Sequence, residues 1–293
     1  MTVMVARDLQ SRLAPYLGLA KPRIIELLLV TTVPAMVAAA KGWPSTWTVV
    51  ATLIGGTLSA AGANSLNNLL DRDLDAGMLR TRRRPLPQHR VTPGRALTFG
   101  IGMGVAGFVW LWVTTNLLAG LLATAALLFY VLVYTKWLKR ITPQNIVIGG
   151  AAGAVPPLVG WAAVTGELHP AAWVMFGIIF AWTPAHFWAL SLRFRDDYAR
   201  VGIPMLPVVA GEAEATRSIL LYAWLTLASS LLLFPAAPMG YLYLVGAMIL
   251  GGWLVAKAAR LRRLPQLAMG FFSFSNFYLA ALFGVIALDR LLA

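Results

Sequence analysis

The chain has 293 residues, of which 59% are hydrophobic and only 12% charged, against roughly half and a quarter in water-soluble domains. This excludes a soluble Rossmann or barrel enzyme and fits a polytopic helical membrane protein, in which the 26 glycines and 17 prolines are tolerated because neighbouring helices satisfy the backbone. The absence of cysteine excludes disulfide frameworks, thiolate zinc sites, iron–sulfur clusters and cysteine nucleophiles, and the net charge of +13 turns the question to where the basic residues lie.

A helical span needs about 20 apolar residues. The first covers 24–40 and follows Arg7, Arg12, Lys21 and Arg23; without a convincing small-residue cleavage site it does not read as a signal peptide. The second covers 47–70. Residues 96–135 carry no charge and are interrupted only by Thr114-Thr115-Asn116, which predicts spans 3 and 4 joined by a tight turn. Spans 5 and 6 cover 145–164 and 170–192. The uncharged stretch 218–256, interrupted at Pro235-Ala236-Ala237-Pro238, gives spans 7 and 8, and 270–288 is the ninth. The whole chain reads as one integral-membrane domain, with 1–17 a flexible cytoplasmic amino terminus. Alternation at ten-residue spacing is missing, which argues against an outer-membrane barrel.

Basic residues set the expected orientation. Of 24 lysines and arginines, 22 precede span 1 or fall between spans 2 and 3, 4 and 5, 6 and 7, or 8 and 9; only Lys41 and Arg290 fall on the other side. The positive-inside rule then places the amino terminus in the cytoplasm and the carboxyl terminus outside. The positive charge is a topology signal, and because it flanks spans instead of forming one soluble face, no nucleic-acid partner is expected.

Five of the 11 acidic residues form two clusters, Asp71/Asp73/Asp75 and Asp196/Asp197, at the cytoplasmic ends of spans 2 and 6. On a continuous helix Asn67, Asp71 and Asp75 share one face, with Asn64 on it as well and Asp73 pointing away. Carboxylates near a helix carboxyl end are disfavoured by its dipole and costly near lipid, so something positive must sit there. One reading is a salt-bridged interfacial loop using Arg72, Arg80, Arg82, Arg83 and Arg84. The other is a Mg²⁺ site, with one or two carboxylates, substrate phosphates and water as ligands and arginines clamping the remaining oxygens.

At these residues the sequence resembles the UbiA superfamily of membrane prenyltransferases, whose Asn-x-x-x-Asp-x-x-x-Asp motif is matched by Asn67, Asp71 and Asp75. Within it, several strings resemble the haem O synthase branch: Lys21-Pro-Arg; Asp71-Arg-Asp-Leu-Asp75 with Arg80-Thr-Arg-Arg-Arg-Pro-Leu-Pro87; Tyr134-Thr-Lys-Trp-Leu-Lys-Arg140 running on to Asn145-Ile-Val-Ile-Gly-Gly; Thr183-Pro-Ala-His186-Phe-Trp-Ala-Leu; and Asp197-Tyr-Ala-Arg-Val-Gly-Ile-Pro-Met-Leu-Pro207. The resemblance implies nine helices around a central cavity and transfer of the farnesyl group of farnesyl diphosphate to a vinyl group of haem b, giving haem O. It also implies a haem O hydroxylase (haem A synthase) or terminal oxidase as partner, and Mg²⁺ as cofactor with haem b as substrate. One departure is that the positions four beyond Asp196 and Asp197 are Arg200 and Val201, so a second Asp-x-x-x-Asp is lacking and either aspartate is open as the metal-facing one, Asp197 being favoured beside Tyr198.

The expected site then has Asn67, Asp71, Asp75 and Asp197 holding Mg²⁺, and Arg80, Arg84, Lys139, Arg140 and Arg195 contacting phosphate. Tyr134 and Trp188 shield the allylic cation, and Asn145, Asp196 and Tyr198 line the substrate. His186, deeper in span 6, either hydrogen-bonds a neighbouring helix or contacts haem; His89 and His169 read as solvated. Glu26 reads as an interfacial salt-bridge partner and Pro156-Pro157 and Pro184 as helix bends. The glycines 100, 102, 104, 149 and 150 read as close helix packing instead of a nucleotide loop, and Trp43, Trp47 and Trp173 as headgroup-level anchors. Two other functions fit the same composition: prenylation of an aromatic quinone precursor, and transport of an anionic metabolite, the latter disfavoured because the acidic ends lie on one side only.

Overall fold

The computed structural model describes residues 13–293, with the side chains at 23, 24, 27 and 28 outside that description. Arg7, Arg12 and the side chain of Arg23 thus lie outside the described residues, as do positions 1–12 of the segment expected to be flexible. Residues 13–20 are helical, and Tyr16 meets Phe99 edge-on at 5.1 Å.

Nine long helices follow among the described residues, which hold no strand: α1 (Pro22–Ala40), α2 (Thr46–Leu70), α3 (Pro93–Thr114), α4 (Leu117–Ile141), α5 (Asn145–Thr165), α6 (Pro170–Arg193), α7 (Gly211–Ala236), α8 (Tyr241–Arg263) and α9 (Ala268–Leu292). Eight have the length and apolarity to cross a membrane, and the ninth, α1, carries a shorter apolar stretch, Leu29–Ala40. The spans read from the charge-free stretches are all present. The turn expected at Thr114-Thr115-Asn116 is there because Asn116 caps α4, accepting from Ala119 N at 2.9 Å while its Nδ2 donates to the Ala162 carbonyl of α5.

Each helix packs on the next and α9 returns to α1, which closes the ring; α1 also packs on the second half of α5, and α6 on α9. Large apolar side chains such as Ile101, Val113, Leu232 and Ile249 cover the outside, as a lipid-facing surface requires, and Trp43, Trp47 and Trp173 are exposed there too. Between α2 and α3 the backbones nearly touch: a Cβ on Gly62 would stand 2.7 Å from Gly104 N, and one on Gly107 2.7 Å from Ser59 N. The close-packing reading therefore holds for Gly100 and Gly104, whereas Gly102 has open space around it. Pro156-Pro157 interrupts α5 at Val155, since proline has no N–H for the ladder; α6 stays helical through Pro184.

At the end of the bundle away from the Asp71 cluster, Asp289 of α9 is buried and accepts from Gly240 N at 2.7 Å and Tyr243 N at 3.0 Å. It caps α8 from another helix, where a carboxylate meets the positive end of the dipole.

Candidate active site

The carboxyl end of α2 is unusually polar for a membrane helix, and its amides are committed one by one. Asn64 and Asn68 donate to the carbonyls of Ala20 and Leu19, at 2.8 and 3.0 Å, pinning the segment ahead of α1 onto α2. Asn67 is central. Its Oδ1 accepts from Lys21 Nζ at 2.6 Å, and its Nδ2 donates to Asp71 Oδ2 at 2.9 Å and Thr135 Oγ1 at 3.0 Å.

Beyond Leu70 the ladder continues, with Asp71 N bonded to Asn67 O and Asp75 N to Asp71 O, and a short helix covers Arg72–Gly77. The expected shared face is thereby kept. Asp71 and Asp75 are buried while Asp73 is exposed on the far side. Each carboxylate has a cation: Lys139 Nζ lies 2.5 Å from Asp71 Oδ2, Arg84 Nη1 spans both oxygens of Asp75 at 2.8 and 2.9 Å, and Arg140 makes a bidentate pair with Asp73 at 2.9 Å. The Arg140 hydrogen bonds hold the Asp73 carboxyl below its ordinary pKa. Arg140 is thus tied to the outer face of the cluster.

Asp197, from the short helix Arg195–Arg200 after α6, reaches the same loop. It accepts from Leu79 N at 3.2 Å and Arg80 N at 3.1 Å, with Arg200 Nη1 at 3.1 Å. Because Asp75 grips Arg84 of this loop and Thr81 Oγ1 donates to the Asp75 carbonyl, the two acidic clusters converge on residues 79–84. The Arg80 guanidinium donates to Tyr198 Oη at 3.4 Å and lies over the Phe194 ring at 5.4 Å. Burial raises the Tyr198 phenol pKa. Asp196 and Arg195 are exposed, so of the two aspartates it is Asp197 that faces inward.

The opposite wall is α4, which is π-helical over Phe129–Leu138. Thr135 Oγ1 donates to the Tyr130 carbonyl five residues back, and Tyr130 and Tyr134 stack with centroids 5.5 Å apart. Such insertions recur at functional sites. Gly149 makes room for this wall, since a Cβ there would stand 2.2 Å from Tyr134 Cδ2; Gly150 likewise faces Thr183. Asn145 is fully buried and donates to the Thr142 carbonyl across the α4–α5 turn, with its Oδ1 unpartnered.

Other expected residues lie apart. Trp188 is buried edge-on against Tyr222. His186 packs against α9. His89 is exposed, His169 is exposed at the start of α6, and Glu26 is exposed on α1. Sequence reasoning missed three members of the cluster, Lys21, Thr135 and Tyr130. Lys21 alone left a signal, a lysine directly before the proline that starts α1. Desolvation lowers its ammonium pKa well below the ordinary lysine value, Arg84 acts the same way, and Asp75 and Asp71 oppose them. Its backbone is left-handed, φ 55°, a strained conformation that places the ammonium against Asn67.

Chemically, this is an oxygen-rich pocket in which cations and carboxylates neutralise one another. One atom stands out: Asp71 Oδ1 is buried with no hydrogen-bond partner. No three acidic, histidine or cysteine side chains among the described residues form a protein-only metal cage. Hard oxygen donors with an uncommitted carboxylate oxygen fit Mg²⁺, which takes one or two carboxylates and fills its sphere with phosphate and water.

Comparisons with known proteins bear on the family and the fold. The chain is 51% identical over 296 aligned residues to the protoheme IX farnesyltransferase of Clavibacter michiganensis subsp. michiganensis, covering 99% of this chain and 95% of that one. It is 50% identical to the protoheme IX farnesyltransferase of Gloeobacter violaceus, covering 97% and 94%. Among solved structures it is similar to a digeranylgeranylglyceryl phosphate synthase, TM-score 0.78 at 17% identity over 96% of this chain and 99% of that one. A UbiA homologue from Archaeoglobus fulgidus bound to DMAPP and Mg²⁺ gives a TM-score of 0.64 at 17% identity, over 92% and 98%. Residues 28–286 match the model of the UbiA prenyltransferase family, and with the helical ring and the Asn67/Asp71/Asp75 face in place, this chain belongs to that family.

Proposed function

We propose that this chain is a membrane prenyltransferase that moves the farnesyl group of farnesyl diphosphate onto a vinyl group of protohaem IX, releasing diphosphate. The observation that carries it is the set of paired groups gathered at one end of the bundle, Asp71 with Lys139, Asp75 with Arg84 and Asp197 with the Arg80 backbone, in a chain about half identical to farnesyltransferases of protohaem. The fold neighbour that holds a prenyl diphosphate with Mg²⁺ supports the diphosphate half of the reading.

Asn67, Asp71, Asp75 and Asp197 would hold Mg²⁺, with the free Oδ1 of Asp71 its first protein ligand. Bound there, the ion neutralises charge on the leaving diphosphate. The residues of the chain supply the remainder. Lys139 and Arg84 are already positioned against the carboxylates, and each can exchange a carboxylate oxygen for a phosphate oxygen as substrate enters. Arg80 is aimed by its own backbone bond to Asp197, and Lys21 reaches the cluster from the other flank. The stacked Tyr130 and Tyr134 present π-faces beside the Asp71 end, where an allylic cation is shielded by about 2 kcal/mol when water is excluded. Asn145 and Tyr198 close this wall, whereas Arg140, Arg195 and Asp196 act at most at its rim.

The clustering of basic residues at the end that holds this site supports an inner or plasma membrane location with a cytoplasmic amino terminus. A haem O hydroxylase or terminal oxidase is the natural recipient of so apolar a product. Purified chain incubated with haem b, farnesyl diphosphate and Mg²⁺ tests the reading, with pigments separated by chromatography. Prenylated haem should appear only when all components are present; its absence, or prenylation of an aromatic quinone precursor instead, would overturn the reading.

A further inference from the structure

α8 opens at the Asp289 cap, so its last turns lie at the end of the bundle that holds Asp71, and they carry Lys257, Arg260, Arg262 and Arg263. These cations are not equivalent. Lys257 commits its charge to aromatic faces, with Nζ 5.0 Å from the ring centroid of Phe274 and 5.8 Å from that of Trp253. Arg260, Arg262 and Arg263 are exposed, and none of them pairs with a carboxylate among the described residues.

Two of the three arginines border a recess. Between α7 and α8 a cleft of about 420 Å³ is lined by Leu220, Ala259, Arg262 and Arg263. A second cleft, of about 330 Å³, shares Arg262 and adds Ala213, Glu214, Thr216 and Arg217 of α7. Glu214 is the only carboxylate lining either cleft among the described residues, and it faces Arg217 at 3.5 Å, which leaves Arg262 and Arg263 uncompensated. The opening follows from side-chain size. Deeper in the bundle the two helices are locked together, since a Cβ on Gly251 would stand 2.4 Å from Leu227 Cδ1. Nearer the end α8 offers only the methyl group of Ala259 toward Leu220, and the gap stays unfilled. Below Ala259 on the same face, Ala256 and Gly252 are exposed, and a Cβ on Gly252 would meet nothing within 4 Å. An uncrowded apolar surface therefore runs from the cleft down the outside of α8.

Unpaired guanidiniums above an apolar recess, at the level where membrane helices leave the bilayer, are complementary to a phosphate ester that carries acyl chains. Arginine matches phosphate with two parallel N–H donors, and basic pockets between membrane helices take anionic head groups in this way. We propose that the α7–α8 cleft binds one anionic phospholipid of the adjoining leaflet, with its phosphate on Arg262 and Arg263 and its chains along Leu220, Ala259, Ala256 and Gly252. A soluble anion would use the arginines alone and leave the apolar wall unexplained. The site stands on helices that contribute nothing to the Asp71 cluster, and it does not depend on the proposed reaction.

The test titrates the full chain in detergent with phosphatidylglycerol or with phosphatidylcholine of identical chains, and native mass spectrometry counts the bound lipid. Wild type should hold one phosphatidylglycerol roughly 10-fold or more tighter than phosphatidylcholine. Arg262→Gln and Arg263→Gln should each weaken phosphatidylglycerol binding about 5-fold and leave phosphatidylcholine unchanged. Arg260→Gln removes the same charge from the same turn but outside the cleft, and should alter neither. Ala259→Phe fills the recess without touching a charge and should weaken both lipids. All four positions are exposed, so melting temperatures should stay at the wild-type value. Equal affinity of wild type for the two lipids overturns the site, as does a loss in Arg260→Gln as large as that in Arg262→Gln, which would reduce the attraction to general surface charge. Unchanged binding in Ala259→Phe overturns the placement in the cleft, and displacement of the lipid by an equal concentration of inorganic diphosphate reassigns the arginines to a soluble anion.

Discussion

Lys139 Nζ sits 2.5 Å from Asp71 Oδ2, while Oδ1 of the same buried carboxylate has no partner. A buried carboxylate oxygen without a hydrogen bond is costly, and the proposed function assigns this oxygen to the metal ion. Asp71→Asn keeps the shape and removes the charge. Farnesyl transfer should fall about 100-fold or more, the scale of losing one preorganised electrostatic contact to a leaving group. Asp73→Asn breaks only the exposed pair with Arg140, worth at most ~1 kcal/mol, and should leave turnover within a few-fold. Chromatography of the pigment products measures both, and wild-type turnover in folded Asp71→Asn would refute the metal assignment.

The Asp197 carboxylate holds the arginine loop by two backbone N–H groups. Hydrogen bonds to a charged acceptor contribute about 1.5–3 kcal/mol each, and Asn offers one acceptor oxygen and no charge. Asp197→Asn should therefore free residues 79–84, with faster tryptic cleavage after Arg80, Arg82 and Arg83. The KM for farnesyl diphosphate should rise more than kcat falls. Cleavage at the wild-type rate would show that the loop is held by other contacts.

Much of the fold was legible because a membrane span is a local property: an uncharged stretch of the right length declares itself, and Asn116 announces its turn by being the only strongly polar side chain near the middle of 96–135. The shared face of Asn67, Asp71 and Asp75 was equally local, following from helical spacing. What completes the site is long-range. Lys139 and Thr135 come from 68 residues away, and Lys21 from 46. Single-sequence patterns carry no pairing information at such separations. The π-helical register that stacks Tyr130 on Tyr134 also had no signature, since nothing in Phe129–Leu138 distinguishes that ladder from an α-helical one. Asp289 went unread for the same reason: its partners are backbone amides on another helix.

Gly149 offers a test of the aromatic wall that touches no charged residue. A methyl group there would fall 2.2 Å from a ring carbon of Tyr134, so the ring must move, whereas Gly153, one turn on, has open space. Overpacking of this kind costs about 1–3 kcal/mol. Gly149→Ala should lower the melting temperature and reduce transfer together, and Gly153→Ala should change neither. If Gly149→Ala kept full transfer, the placement of Tyr134 would be irrelevant to catalysis.

The Asp289 cap separates stability from chemistry. Its oxygens satisfy Gly240 N and Tyr243 N, and its charge faces the positive end of α8. Asp289→Ala strands both donors in a poorly hydrated position, costing about 1–3 kcal/mol for the unsatisfied groups, and loosens the α8–α9 contact. The Asp71 cluster, at the far end of the bundle, keeps every partner. Thermal unfolding in nanodiscs should show a clear drop in melting temperature, while kcat and KM for both substrates, measured well below it, stay at wild-type values. A fall in kcat at that temperature, with the protein still folded, would mean that the carboxyl end of α9 is coupled to the reaction centre through the α6–α9 contact that also holds His186.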